Sequence, residues 1–177
     1  MFFSFSLAKN EENEAKNRAY ALYATKNYNE AYEIFNDLSS SEKTAEIFLL
    51  MSNIELENNN DNSAIRYLNK ALDVDYTYYK AYYNLANIFA AKKSYLLAIN
   101  NFELAIKYNK DFAPAYYNLA CCQMKLKNYE QAKKNLIKSL EIDSKNKDAY
   151  YNLAYCYKQL GKEKTAKKIL ETYNSIN

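Results

Sequence analysis

Few residues of this chain could carry catalytic, metal or redox chemistry, and its three cysteines are the first to consider. Cys121 and Cys122 are adjacent, and Cys156 is the third. Adjacent residues on a helix point about 100° apart, so Cys121 and Cys122 cannot easily chelate one ion together. An odd number of cysteines without the spacing of a disulfide framework is typical of a reducing compartment. We therefore interpret these cysteines as small packing residues.

The remaining chemistry-bearing residue types point the same way. Histidine is absent, which removes the commonest general base and the commonest metal ligand. The sequence has no glycine-rich phosphate loop, no nucleophile elbow, and no carboxylate pair with a supporting base. It therefore predicts no catalytic residue, no metal site and no cofactor, and the chain is not expected to be an enzyme.

Composition indicates the kind of element that the chain forms. Hydrophobic residues make up 49% and charged residues 25%, while there is one glycine and one proline, so we expect helices joined by brief corners. No stretch approaches the roughly 18–20 apolar residues of a membrane span. The start, MFFSFSL, lacks a basic segment and a long enough apolar run for a secretory signal, although a truncated signal remains an alternative. We expect a soluble, cytoplasmic protein.

An internal repeat organises most of the sequence. The string YYNLA occurs at 82–86, 116–120 and 150–154, each time 34 residues apart. Two apolar groups lie around the first copy: Tyr82, Leu85, Ala86 and Phe89, then Ala98, Phe102 and Ala105. Within each group the spacings of three and four place the residues on one face of a helix. The polar segment 92–95 separates the two groups. The pattern predicts a helix–turn–helix unit that recurs along the chain.

These residues resemble the tetratricopeptide repeat, whose signature is an aromatic residue, Leu, a small residue and another aromatic, then Ala, an aromatic and Ala. The resemblance implies an all-α fold, a right-handed α-solenoid of about five stacked helix–turn–helix repeats. The repeats are residues 12–44, 45–78, 79–112, 113–146 and 147–177. The first is the weakest, because Ala15 and Arg18 stand where large apolar residues are usual. Residues 1–11 are expected to be an apolar tail, which either frays or covers the first repeat as a plug.

The turn inside each repeat departs from the family pattern. Glycine is usual there, but only the last repeat has one, Gly161, and Asn59, Lys93 and Lys127 stand in its place elsewhere. If the turn needs a positive φ, Asn tolerates it, whereas Lys is strained by about 1 kcal/mol.

Tyrosine and asparagine, rather than charge, occupy the face of each first helix that lies opposite its apolar stripe. In proteins that this chain resembles, that face lines the concave groove of the superhelix. Asn amides both donate to and accept from a peptide backbone, and Tyr offers rigid contact area with a polar tip. We predict a groove that binds an extended peptide or a helix of a partner, through Asn53, Lys80, Tyr83, Asn84, Asn87, Tyr117, Asn118, Lys125, Tyr151, Asn152, Tyr155 and Lys158. The alternative is that Tyr and Asn only pack neighbouring repeats together.

The distribution of charge along the sequence indicates which kind of partner the chain could bind. Residues 1–78 carry 7 basic and 13 acidic side chains, a net −6, and residues 79–177 carry 17 and 8, a net +9. The lysines on the groove side favour a mildly acidic protein or peptide. The uneven division also allows a second interpretation, a homo-oligomer in which the acidic half of one copy meets the basic half of another.

Two other partner classes are not favoured. The family's clamp for chaperone C-terminal carboxylates needs basic residues where this chain has Tyr83 and Asp148. Nucleic acid is not expected either, because there are only two arginines, the net charge is +3, and no one-base-per-repeat code is visible.

Overall fold

The computed structural model describes the backbone of residues 2–175 and the side chains of residues 13–174. Within these limits the chain is all-α, with ten helices and no strand. The helices are α1 (Phe2–Ala24), α2 (Tyr28–Asp37), α3 (Ala45–Glu57), α4 (Asp61–Val74), α5 (Tyr79–Ala91), α6 (Tyr95–Tyr108), α7 (Ala113–Lys125), α8 (Tyr129–Ile142), α9 (Lys147–Gln159) and α10 (Glu163–Ser175). The all-α fold expected from the repeat pattern is confirmed.

Successive helices pair into antiparallel hairpins through turns of three residues. One residue of each turn has a positive φ, between 59° and 73°: Lys26, Asn59, Lys93, Lys127 and Gly161. The left-handed residue lets two backbone N–H groups return to the end of the helix, as where Lys93 N donates to Ala90 O (2.9 Å) and Ser94 N donates to Phe89 O (2.9 Å). The turn therefore does need the conformation that strains lysine.

The chain divides after Tyr76 into two compact units, α1–α4 and α5–α10. In the first unit, Phe35 of α2 and Leu38, which directly follows α2, pack with three residues of α3, which are Ile47, Met51 and Ile54. Two helix starts, those of α3 and α9, carry a side-chain cap. The Thr44 side chain, for example, accepts a hydrogen bond from Ile47 N (3.3 Å) at the start of α3.

The second unit has two cores of the same design. In one, Ala98, Phe102 and Ala105 of α6 pack against Leu119 and Cys122 of α7. The other repeats this arrangement one unit later and contains Ala120, Ala132, Leu136, Ala149, Leu153 and Cys156. Small residues at the helix crossings let the backbones approach closely, and larger side chains such as Phe102 and Leu136 fill the remaining space.

The start of the chain forms part of α1, which runs without interruption from Phe2. Side chains 1–12 lie outside the described residues, and these include the apolar residues of the tail. Whether the tail covers the first repeat therefore stays a prediction.

Candidate protein-binding surface

Tyrosine and asparagine side chains join neighbouring repeats of the second unit. Asn118 of α7 reaches back to α5, where its Nδ2 donates to Tyr83 Oη (3.1 Å) and to Asn87 Oδ1 (2.9 Å). Both hydrogens of one amide thus tie the third repeat to the fourth. We call this arrangement, together with its counterpart in the next repeat, the Tyr–Asn ladder.

The second step of the Tyr–Asn ladder lies between the fourth and fifth repeats. Asn152 Nδ2 donates to Tyr117 Oη (3.2 Å) and contacts Cys121 Sγ at 3.6 Å. Burial raises the pKa of Tyr117 to about 12, so this phenol stays protonated at neutral pH. The step is weaker than the first, because a sulfur is a poorer acceptor than an amide oxygen.

The ladder supports the packing interpretation of Asn118 and Asn152 without removing them from the exposed face. Their amide hydrogens are engaged within the protein, while neither Oδ1 accepts a hydrogen bond from the described part of the chain. Each Asn can therefore offer an acceptor to a ligand, but not a donor. The sequence places an Asn 35 residues after each of these Tyr residues, hence on the next first helix, but it did not predict that the two side chains would pair.

Other predicted residues on the first helices are more open. Tyr151 is 57% exposed and Tyr155 42% exposed, which is unusual for tyrosine beside a packed core. Lys80, Lys125 and Lys158 are exposed, whereas Asn84 is half-buried on α5. Asn53 belongs to the first unit, where its Nδ2 donates to Tyr23 Oη (3.1 Å).

Two cavities lie side by side along the first helices of the second unit. One, about 260 Å³, is lined by Asn87, Ala90, Tyr95, Phe102, Asn118, Cys121, Cys122 and Lys125. The other, about 410 Å³, is lined by Cys121, Met124, Lys125, Tyr151, Asn152 and Tyr155. Cys121 and Lys125 line both cavities. Lys125 therefore lies between the cavity that contains Tyr95 and Phe102 and the cavity that contains Tyr151 and Tyr155. The structure brings together six of the predicted residues here.

The cysteines are free thiols in environments that suppress reactivity. Cys122 and Cys156 are buried in the two cores, and burial raises the pKa of each to about 11. Burial also raises the pKa of Cys121. Because the thiolate is the reactive form, these residues are poor nucleophiles at neutral pH. Among the residues that the structure describes, no group of three or more Cys, Asp or Glu side chains is arranged to hold a metal ion.

None of the helices in the described part of the chain combines the length and the apolar character that a bilayer span requires.

Three family models, each described as tetratricopeptide repeat, match the sequence. They cover residues 49–114, 113–146 and 136–168. Together they extend over residues 49–168, which is more than half of the chain. No curated protein sequence was found to match this chain.

Solved structures of the protein MamA resemble the fold over most of its length. A crystal structure of MamA has a TM-score of 0.78 at 21% sequence identity and covers 88% of this chain and 91% of its own. A double mutant of MamA from strain RS-1 reaches a TM-score of 0.82 at 17% identity, with 93% of each chain covered. A MamA fragment from Desulfovibrio magneticus RS-1 gives 0.80 at 17% identity, covering 93% of this chain and 94% of its own. At these identities the likeness concerns the fold.

Proposed function

The chain belongs to the tetratricopeptide-repeat family, and we propose that it is a non-catalytic adaptor that holds an extended peptide or a helix of a partner protein along its first helices. The family and its fold support a protein-interaction scaffold. That the first helices form the binding face, that the ligand is a peptide or a helix, and that it is mildly acidic are what we propose. Three free cysteines in one short chain also suit a reducing, cytoplasmic setting.

The observation that carries the proposal is the exposure of Tyr151 and Tyr155 beside a cavity of about 410 Å³. Tyrosines are enriched where proteins bind each other, because a rigid ring gives large contact area at little entropic loss. Here both rings flank the cavity with Lys125, whose side chain is exposed. A peptide with an acidic residue between two apolar residues fits this arrangement, in which one lysine and two tyrosine rings border the same cavity.

The Tyr–Asn ladder supports a particular orientation of such a peptide. Since Asn118 and Asn152 use their amide hydrogens internally, they contribute only Oδ1 acceptors toward a ligand. The matching groups on an extended peptide are backbone N–H donors. The asparagines would thus contact main chain, whereas Tyr151, Tyr155 and Lys125 would read side chains.

Site-specific crosslinking tests this proposal directly. A photo-reactive amino acid is placed at Tyr155, or at Lys134, an exposed position on the second helix α8. Each protein is illuminated in a lysate of the source organism. We expect a protein adduct from position 155 that is absent at position 134 and is lost when Lys125→Gln and Tyr151→Ala are added.

The two added substitutions change exposed side chains, so circular dichroism should show unchanged helicity. A partner that crosslinks equally at both positions, or persists with both substitutions, would place binding elsewhere and contradict the proposal. Replacing Asn118 or Asn152 would be a poorer test, because it weakens the stacking of the repeats as well as any contact with a ligand.

A second candidate function is self-assembly, and the distribution of charge favours it. The boundary between the two compact units, after Tyr76, coincides with the change from a net −6 to a net +9. Opposite charge on two parts of one chain favours association between copies at low ionic strength.

A further inference from the structure

The first compact unit contains a cleft of its own. Its volume is about 360 Å³, at the small end of the range for small-molecule sites. The lining residues are Asn36, Ser40, Lys43, Phe48, Met51, Tyr67, Lys70, Asp73 and Val74. We call it the α3–α4 cleft, because these two helices supply its apolar residues.

The floor of the α3–α4 cleft is aromatic and fixed in place. The rings of Phe48 and Tyr67 stack with centroids 6.3 Å apart and an interplanar angle of 19°. The Tyr67 hydroxyl forms a 2.6 Å hydrogen bond with the Tyr32 hydroxyl, which holds the ring from behind. Met51 adds a thioether, a group that packs favourably against aromatic rings.

The cleft exists because one position of the repeat carries a smaller side chain here than in the following repeat. Val74 stands 34 residues before Tyr108, and Phe48 stands 34 residues before Tyr82. In the later repeat Tyr108 stacks on Tyr82, with centroids 5.6 Å apart and an angle of 17°. In the first unit the ring that stacks on Phe48 is that of Tyr67, and the position of Tyr108 holds Val74, which has no ring and is 54% exposed. We call this position, which carries no ring of its own, the open stacking site.

Two cations border this open stacking site. Lys70 Nζ lies 5.4 Å from the centroid of Tyr67 and 5.8 Å from that of Phe48, so the ring faces position its charge. Lys43 Nζ donates to Asn36 O at 2.8 Å, which ties it to the rim. Neither lysine forms an ion pair with a carboxylate in the described part of the chain. Among the described residues that line the cleft, Asp73 is the only acidic one, so these residues together carry a net charge of +1.

We propose that the α3–α4 cleft binds an organic anion that carries an aromatic ring. The ring occupies the position that Tyr108 fills in the next repeat and stacks on Phe48, while the anionic group lies between Lys43 and Lys70. Such a ligand is either a free small molecule or a phosphorylated or acidic aromatic side chain of a protein. The site is independent of the peptide-binding face proposed above.

Nuclear magnetic resonance titration of the full chain tests this site with defined probes. Phenyl phosphate supplies both ring and charge, inorganic phosphate only the charge, and benzyl alcohol only the ring. We expect phenyl phosphate to shift the backbone resonances of Lys43, Phe48, Lys70 and Val74 in a saturable way. Each of the other probes should bind at least about 5-fold more weakly, because it makes one of the two interactions.

Variants separate the stacking position from the charge. Val74→Tyr should fill the cleft as Tyr108 does and abolish binding, while Val74→Ala should leave the dissociation constant within about 2-fold. Lys70→Gln should weaken binding by about 3- to 5-fold, in line with a partly exposed ion pair. Arg66→Gln is the matched control, because Arg66 also lies over the Tyr67 ring but does not line the cleft.

The result that overturns the proposal is equally specific. Phenyl phosphate that leaves these resonances unmoved, or that binds Val74→Tyr as well as the parent, shows that the cleft is not a site for aromatic anions. If Val74→Tyr does not fold, judged by its thermal transition, an equal effect of Lys70→Gln and Arg66→Gln contradicts the proposal instead. A short phosphotyrosine peptide that binds more tightly than phenyl phosphate assigns the ligand to a protein, and equal affinity assigns it to a small molecule.

Discussion

At the scale of single residues, the left-handed turns hold a conformation that most of their side chains disfavour. Lys93 and Lys127 have φ values of 60° and 62°, and Gly161, at the same place in the last repeat, has 73°. A Cβ at Gly161 would meet no atom within 4 Å, so any effect of substitution there comes from the backbone alone. The strain is therefore separable from packing.

We predict that Lys93→Gly and Lys127→Gly each raise the free energy of unfolding by about 0.5–1 kcal/mol, because glycine adopts a positive φ without a Cβ clash. Urea denaturation measures the change. The matched control is Lys92→Gly, at φ −76°, which should lower stability because it only adds freedom to the unfolded chain. The same sign for positions 92 and 93 would contradict the backbone explanation.

A second prediction at this scale concerns the Tyr–Asn ladder. Asn118→Ala removes the donors to Tyr83 Oη and Asn87 Oδ1 and should lower the free energy of unfolding by about 1–2 kcal/mol. Asn152→Ala should lower it by less, because one of its two acceptors is a sulfur.

Chemical denaturation of both variants beside Asn100→Ala, an exposed asparagine on α6, checks this order. A loss at Asn118 no larger than that at Asn100 would mean that the ladder contributes nothing to stacking.

At the scale of helices, the tight crossings depend on alanine. Ala98 and Ala132 are fully buried where two helices of one repeat meet. The sequence predicted these positions, since spacings of three and four and the 34-residue period identify the buried face of every helix after α2. It did not predict which polar side chains would pair, because a helical period fixes a face but not the rotamers on it. The exposed Tyr151 and the hydrogen-bonded Tyr117, for example, share one repeat position.

We predict that Ala98→Leu, or Ala132→Leu, lowers the free energy of unfolding by about 1–3 kcal/mol, because three added carbons overfill a closely packed crossing. Equilibrium unfolding in urea measures the loss. Ala91→Leu, at the exposed end of α5, makes the same chemical change without crowding and should be nearly neutral. Full stability of the buried variants would contradict the assigned register.

At the scale of the whole chain, charge and structure divide at the same place. The unit of α1–α4 carries a net −6 and the unit of α5–α10 a net +9. The all-α fold and the recurrence of helical hairpins could be predicted from sequence periodicity, whereas the α3–α4 cleft could not. It arises from one side chain, Val74, that is small where the equivalent Tyr108 is large. The 34-residue spacing aligns these two positions, but only the structure shows that Tyr108 stacks on Tyr82.

The self-assembly candidate leads to a prediction at this scale. Sedimentation velocity should detect association at an ionic strength of about 0.01 M, where charges act over about 30 Å, and monomers at 1 M, where they act over about 3 Å. An oligomer that survives high salt, or a monomer under both conditions, would rule out charge-driven assembly. The second outcome leaves the adaptor proposal unaffected.

The unequal steps of the Tyr–Asn ladder have a mechanical consequence. If the chain is held at both ends and stretched, load passes through the hydrogen bonds that join one repeat to the next. The junction at Cys121, where an amide meets sulfur at 3.6 Å, is weaker than the junction at Asn87, where it meets oxygen at 2.9 Å. Under tension the hairpin of α9 and α10 should therefore detach before α7 and α8 do. The C-terminal repeat would be the first part of the second unit to come away under load.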